Sequence, residues 1–400
     1  MKVIADPVFR QEKFIFEETR RGRADFGVGD KGLLLIALLL GGLGLVMVYS
    51  ASGVLAAKIY QDGAHFLKKQ LIWTVLGLFL FWGSARLDVE RLRRRLFPFA
   101  CGIFLLLISA LLFGAEINGS RRWVQAGPVG FQPSELAKLF TVVYLSSYIA
   151  KKGEGLREFF KGVAPVLVLV GAECALILME PDLGTTATLL LISAALLFLG
   201  GCALRHLTAL GLFALPLFVY WIMKTPYRRE RIMVFLNPWS DASASGFQMI
   251  QSLLALGSGG AIGTGLGEGR QKLFFLPEPH TDFIFSVIGE ELGLLGTLSL
   301  LSLFFLLFWK GTQIARSIEA PFERMLAFGT TLMMTLPALM NMGVATGLLP
   351  TKGLTLPFVS YGGSSLVVNW IAMGLLFNVS RKRAIGVRGP GAGDRRYWRK

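Results

Sequence analysis

The residues best suited to chemistry lie in GEGRQKLFFLPEPHTDFIFSVIGEELG, residues 267–293, where a polar run carrying Glu278, His280 and Asp282 meets an apolar one. The apolar run from Phe283 to Trp309 is long enough to cross a bilayer, which puts Asp282 at a membrane boundary. Even partial burial against lipid is costly for an ionised carboxylate, so the usual reasons to find one are a pathway, a partner or a reaction. Two readings stand side by side. Asp282 could be a general base, its pKa raised by burial and lowered by cationic neighbours. It could equally be a capping residue for the helix starting at Phe283, with Glu290 and Glu291 deeper in. His280 is either a proton partner or a loop residue engaged in hydrogen bonding.

Other polar stretches offer companions to that carboxylate. NGSRRWVQAGPVGFQPSELAKL, residues 118–139, supplies Arg121, Arg122, Trp123 and Gln132, then Glu135 and Lys138 three residues apart on one face of a helix. The Glu–Lys pair is either a packing tether between helices or the polar floor of a cavity for an anionic head group. The Arg-Arg-Trp trio also suits a plain interfacial anchor. GLLPTKGLTLPFVSYGGSS, residues 347–365, brings donors at Lys352, Ser360 and Tyr361, and its Gly362–Gly363 step permits close backbone approach. The acids of Glu180-Pro181-Asp182 read as a tight turn between two spans. A nucleotide loop, an HExxH motif and a serine-triad signature are all lacking, so neither ATP-driven transport nor protease chemistry has support. What remains is an enzyme acting on a membrane-borne substrate, or a carrier of an amphiphile. Broken spans repeated in two halves would favour the carrier, and none is visible.

The elements that position these residues follow from composition. The chain has 400 residues, of which 53% are hydrophobic and 17% charged, and apolar runs recur along its whole length. That is an all-α polytopic membrane protein. Ten spans are expected, near 33–50, 67–85, 96–115, 135–150, 162–180, 183–202, 206–223, 283–309, 323–345 and 364–380. They divide the chain into an N-terminal tail at 1–32, a membrane domain at 33–380 with a large outer loop at 224–282, and a basic tail at 381–400. Of the 41 Lys and Arg, 28 fall on one side of this arrangement and 12 on the other, which puts both termini in the cytoplasm and Asp282 outside. The net charge of +15 sits in short clusters between spans, so it reads as topology rather than nucleic-acid binding. Residues 246–266 tempt an eleventh span, but six of them are Gly, and a further crossing would put the basic C-terminus outside. A short interfacial or re-entrant helix followed by a glycine-rich loop fits better. Cys101, Cys174 and Cys202 show no paired or metal spacing. The first apolar run has no cleavage signal after it and is read as retained.

In order, NGSRRWVQAGP and QPSE-x-x-K at 118–138, EPDLGT at 180–185, GFQ-x-x-QS-x-x-A-x-GSGG at 246–260, LPEPHTDFIFSVIGEELG at 276–293 and GLLPTKGLTLPFVSYGGSS at 347–365 resemble the motifs of the SEDS family (shape, elongation, division and sporulation). The PTKG and EEL forms are closer to the division-type branch, FtsW, than to the elongation-type branch, RodA. The resemblance implies a peptidoglycan glycosyltransferase that polymerises lipid II at the outer face of the bacterial cytoplasmic membrane, at the division septum. It implies a class B penicillin-binding protein as partner, alongside other division proteins. The family's essential acid falls on Asp282, and its paired Glu and Lys on Glu135 and Lys138. Phe274 departs from the pattern, since division-type relatives often carry an acid near it; Glu278 is the nearest substitute. No organic cofactor is implied. A magnesium or manganese ion on Asp282 or Glu278 would suit the diphosphate leaving group, for which Arg121, Arg122 and Lys352 are the cationic candidates. The competing readings are a lipid II flippase and a non-enzymatic scaffold for division proteins.

Overall fold

The computed structural model describes residues 29–387 apart from 118, 119, 128, 225, 243–245 and 274. Most of both expected tails, and the departure at Phe274, lie outside the described residues. Each segment expected to span the membrane carries a helix. These are α1 (Lys31–Tyr60), α2 (His65–Ala85), α4 (Leu96–Phe113), α5 (Pro133–Lys152), α6 (Ala164–Met179), α7 (Leu183–Leu199), α8 (Leu204–Lys224), α11 (Ile284–Arg316), α12 (Pro321–Ala345) and α13 (Gly363–Val387). Shorter helices α3 (Val89–Arg94), α9 (Pro226–Leu236) and α10 (Phe247–Ser258) lie in the connections. Among the described residues, six segments are long and apolar enough by themselves to cross a membrane: α1, α4, Phe159–Met179, α11, α12 and Gly363–Arg381. Phe79, Leu105 and Phe113 point outward from α2 and α4, as a lipid-facing surface requires and a water-facing one rarely tolerates.

Local chemistry sets the helix ends. The Asp30 side chain accepts hydrogen bonds from the Gly32 and Leu33 N–H groups at the start of α1, and Pro133 and Pro321 occupy first turns, where a missing N–H costs nothing. The bundle packs through small residues, as helices without a hydrophobic drive between them must. Gly77 of α2 receives the Trp370 ring of α13, and Gly374 of α13 lies on the backbone of Phe81. Trp370 is buried edge-on between Phe81 and Phe358, with ring centroids 6.0 and 5.2 Å away. At one end of the bundle Lys310 pairs with Asp30 at 3.0 Å, and the Asp30 N–H donates to Ser380 Oγ at 3.1 Å. The beginning of α1 and the late part of α13 therefore lie together.

Two features depart from an all-helical plan or refine it. Residues 115–131 form a three-stranded antiparallel sheet, β1 (Ala115–Ile117), β2 (Ser120–Ala126) and β3 (Val129–Phe131). Successive side chains of β2 point to opposite faces of the sheet, and Gly127 takes a φ of +63° between β2 and β3. The second feature is the 246–266 stretch, which is the helix α10 followed by a glycine-rich turn. That turn docks where α11 is broken at Gly293 (φ 64°, ψ −160°). Thr264 and Gly265 N–H groups donate to the Glu290 and Glu291 carbonyls, while Leu294 and Leu295 donate back to Gly260 and Ala261. The irregular backbone is thus satisfied by protein.

Candidate active site

At the bundle end opposite Asp30, a cavity of about 690 Å³ is walled by the beginnings of α2, α5, α7 and α13, by β2 and by the loop ahead of α11. Four helices direct their N-terminal turns at it: α5 through Gln132 and Glu135, α7 through Asp182 and Thr185, α11 through Asp282, and α13 through Gly362 and Gly363. Unpaired N–H groups and aligned peptide dipoles make such ends favourable to anions. Arg122 and Lys69 add full positive charge to the wall.

Asp282 does not cap α11, whose first turn has no side-chain cap. Its backbone carbonyl accepts a hydrogen bond from Asn341 Nδ2 at 2.8 Å, which fixes the residue while the carboxylate faces the cavity. Burial, reinforced by Glu278, pushes that carboxyl up to about 7 against the lowering pull of Arg231 and Arg122; Asp182 adds to the rise. Such a group is poised to exchange a proton near neutrality. Gly353 passes so close that an added Cβ would stand 3.2 Å from Asp282 Oδ2. Ser360 pins the arrangement from below: its hydroxyl donates to the Thr281 carbonyl and accepts from the Leu356 N–H.

The neighbours have distinct tasks. Glu135 and Lys138 form a buried ion pair at 2.8 Å on the cavity floor. Arg122 donates to the carbonyls of Glu180 (2.9 Å) and Pro181 (2.6 Å), tying β2 to the turn before α7. Asp182 caps α7 through the Thr185 N–H and also accepts from Thr185 Oγ1 and Gln132 Nε2. Beside it, burial followed by the Asp182 charge pushes Glu180 up to about 8, opposed by Arg122. His280 is buried in an aromatic group, its ring 4.6 Å from Phe66 and 5.6 Å from Tyr361, and burial lowers its pKa against the raising effect of Glu278. It makes no side-chain hydrogen bond through Nδ1, and its backbone carbonyl accepts from the Tyr361 N–H. Its place is packing and loop shape.

The cavity brings together most of the residues singled out from sequence: Arg122, Trp123, Gln132, Glu135, Lys138, Glu278, His280, Asp282, Tyr361, Gly362 and Gly363. Arg121, Lys352 and Ser360 do not line it. Arg121 adjoins Arg122 on a strand, so it points to the other face, where it pairs with Glu116 at 3.7 Å. Lys352 is half-buried beside Gly353, and the loop that brings Gly353 to Asp282 leaves the ammonium off the wall. Ser360 is buried behind the wall. Sequence reading assigned Asp182 to a turn alone and passed over Lys69, Arg231 and Asn369. Asp182 had a signal in its motif, whereas Lys69 and Arg231 reach the site only through the packing of distant helices. Among the described residues no three Asp, Glu, His or Cys side chains gather at metal-ligand distance.

The chain matches the family profile described as cell cycle protein, which groups FtsW, RodA and SpoVE, over residues 31–385. It is 44% identical over 355 residues to the probable peptidoglycan glycosyltransferase FtsW of Geobacter metallireducens, covering 88% of this chain and 95% of that one. It is 41% identical to stage V sporulation protein E of Bacillus subtilis, with 88% and 97% covered. Among solved structures, it superposes with a TM-score of 0.74 on a chain of a peptidoglycan synthase complex studied for the coordination of polymerization and crosslinking, at 34% identity over 89% of this chain and 98% of that one. The rod shape determining protein RodA of Thermus thermophilus superposes with a TM-score of 0.65 at 32% identity, with 89% and 97% covered. A profile spanning the whole helical bundle, and relatives this similar over nearly their full length, make the conclusion plain: the chain belongs to the FtsW/RodA/SpoVE family of cell cycle proteins, the SEDS family its motifs resemble.

Proposed function

We infer that the protein is a membrane-embedded peptidoglycan glycosyltransferase, with lipid II as its substrate and Asp282 as its catalytic base. The observation that carries this reading is one cavity offering a proton-accepting carboxyl among four helix N-termini and Arg122. Polymerisation joins a sugar hydroxyl to an anomeric carbon. The hydroxyl proton passes to Asp282, the new C–O bond forms, and the bond to the lipid diphosphate breaks. Negative charge grows on the departing diphosphate, where Arg122, Lys69 and the helix ends stabilise it. The Glu135–Lys138 pair shapes the floor. Magnesium is commonly held by one or two carboxylates with the rest of its shell from phosphate and water, a partial set that Asp282 and Glu278 could supply beside a bound diphosphate. The ion would then neutralise leaving-group charge.

The same reading extends to topology and partners. Ten crossings with both termini cytoplasmic are supported by the 28 to 12 division of basic residues and by the contact that joins Asp30 to Ser380. The 224–282 region and the cavity then face outward, where lipid-linked precursors are joined. A class B penicillin-binding protein is the expected companion, in a septal assembly with other division proteins; a relative of known structure is itself part of a peptidoglycan synthase complex.

The decisive experiment is glycan-chain synthesis from purified lipid II by the protein reconstituted with its transpeptidase partner, run beside a lipid II scrambling assay in vesicles. Wild type is expected to make polymer and Asp282→Asn none. Near-normal polymer from the variant removes the base assignment. Scrambling by a wild-type protein that makes no polymer would favour the flippase reading instead.

A further inference from the structure

A second cavity, of about 550 Å³, lies at the other end of α5, lined by Arg93, Tyr144, Ser147 and Lys151 among others. Glu135 and Lys138 line the Asp282 cavity, and Tyr144 lines the second. Along the α5 axis the two hollows therefore come within roughly 9 Å of each other, the rise from Lys138 to Tyr144. Thr141 sits between them. Against its hydroxyl lies Glu173 of α6, fully buried and within the apolar segment Phe159–Met179. The catalytic reading above makes no use of this acid.

Hydrogen bookkeeping assigns Glu173 a proton. Thr141 Oγ1 lies 3.0 Å from the Ala137 carbonyl and 2.6 Å from Glu173 Oε2, and a hydroxyl has one hydrogen to give. Thr188, Ser193, Thr331 and Thr335 in this bundle all donate to the carbonyl four residues back. With Thr141 doing the same, the short contact to Glu173 takes its hydrogen from the carboxyl. The other oxygen, Oε1, has no partner, which a neutral acid tolerates far better than a carboxylate. The surroundings agree. Among the elements packed on α6, α5 carries Glu135 and Lys138, already paired, the Tyr144 phenol, and Lys151 and Lys152 in its last turn, at least about 15 Å along the axis from Thr141, while α4 and α7 contain no charged residue. The turn before α6 carries Lys161, which is exposed and paired with Glu158, and Cys174 adjoins on α6 itself. Among the described residues none of these cations pairs with Glu173, whose side-chain hydrogen bond is to Thr141.

We propose that Glu173 is a proton-exchanging carboxyl linking the two cavities. Its O–H bond breaks, the proton passes to water in the cavity beside Lys138 and Glu135, and the carboxylate regains a proton from water in the cavity beside Tyr144. The unpartnered Oε1 leaves the chain of hydrogen bonds incomplete, so the path is closed at rest and passage is slow. A glutamine would serve equally well as a hydrogen-bonded strut, and only an acid can carry out this exchange.

The test uses the full-length protein in phospholipid vesicles. Dicyclohexylcarbodiimide, a lipophilic reagent for protonated carboxyls, is expected to modify Glu173, read by mass spectrometry of the wild-type protein. An imposed pH difference, followed with a trapped pH dye, should decay faster than in empty vesicles. That excess should vanish in Glu173→Gln and in carbodiimide-treated wild type, and fall in Thr141→Val. Lipid II polymerisation in detergent, where no gradient exists, checks that Glu173→Gln is folded and keeps this test separate from the assignment of Asp282. An unmodified Glu173, wild-type vesicles no leakier than empty ones, or a folded Glu173→Gln as conductive as wild type would each overturn the proposal.

Discussion

At the residue scale the proposed chemistry rests on a carboxyl whose proton affinity is set by enclosure. With its pKa pushed up to about 7, Asp282 is mostly protonated at pH 6 and mostly ionised at pH 8. A base must be ionised to work, so polymerisation should rise with pH through that range, measured as initial rate with purified lipid II. Asp282→Asn should lose roughly 10²–10⁴-fold in rate, typical of a lost general base, and show no such rise. Gly353→Ala should slow the reaction with little loss of fold, because its methyl would press on Asp282 Oδ2 from 3.2 Å. Much of this site was legible in sequence, since Gln132, Glu135, Lys138, Asp282, Tyr361 and the Gly-Gly step lie in distinctive motifs. What stayed hidden has a common cause. Arg231 acts on Asp282 only because α9 folds back to the 351–353 loop, where its guanidinium donates to the Thr351 carbonyl at 3.1 Å. No spacing in the chain announces that contact.

At the scale of elements, two buried acids hold the broken helix in place. Glu290 accepts from the Arg270 and Gln271 N–H groups, and Glu291 accepts from Ser50, Lys272 and the Gly267 N–H. These bonds strap the 259–272 turn across the first part of α11, the same segment that presents Asp282 at its start. Lys272 and Glu291 are 2.6 Å apart and almost wholly buried. Removing one partner of such a pair leaves the other uncompensated and costs about 3–5 kcal/mol. Glu291→Ala should therefore lower the midpoint of thermal unfolding in detergent markedly, and lower activity with it. Gly263→Ala should do likewise, since its φ is +84° and a Cβ would overlap the Glu291 carbonyl. The Glu135–Lys138 pair invites a different measurement. A charge-swapped double variant should regain part of the activity lost in Glu135→Ala, and no recovery in a folded protein would point to direct substrate contact. The three-stranded sheet was the element sequence reading missed. Each of its strands has seven residues or fewer, and Ser-Arg-Arg-Trp-Val-Gln-Ala has no period-2 alternation, so nothing in the segment announces a strand between the apolar helical runs on either side.

At the scale of the whole molecule, every expected span carries a helix, yet among the described residues only six segments are both long and apolar enough to declare themselves alone, α7 being apolar but short. α5 is the instructive exception: it devotes polar residues to the cavity floor, and its burial comes from neighbours rather than lipid. Lipid needs only an apolar exterior, so a helix in the middle of a bundle can carry Glu135, Lys138 and Thr141 at little cost once they are paired. Counting charges in loops is a better guide there than counting apolar residues in spans. The Asp30–Ser380 contact places the start of α1 and the late part of α13 at one end of the bundle, as the proposed even number of crossings needs. The proposed ten crossings with cytoplasmic ends would put residues 224–282 outside. Single cysteines placed at Glu268 and at Glu154, in a background with Cys101, Cys174 and Cys202 replaced, should then react differently with a membrane-impermeant maleimide in intact cells. The Glu268 position, exposed in the glycine-rich turn, should be labelled. The Glu154 position, exposed in the connection after α5, should be labelled only after the membrane is opened. Labelling of both from outside, or of neither, would break the odd count of three crossings expected between them and, with it, the outward placement of Asp282 on which the catalytic reading depends.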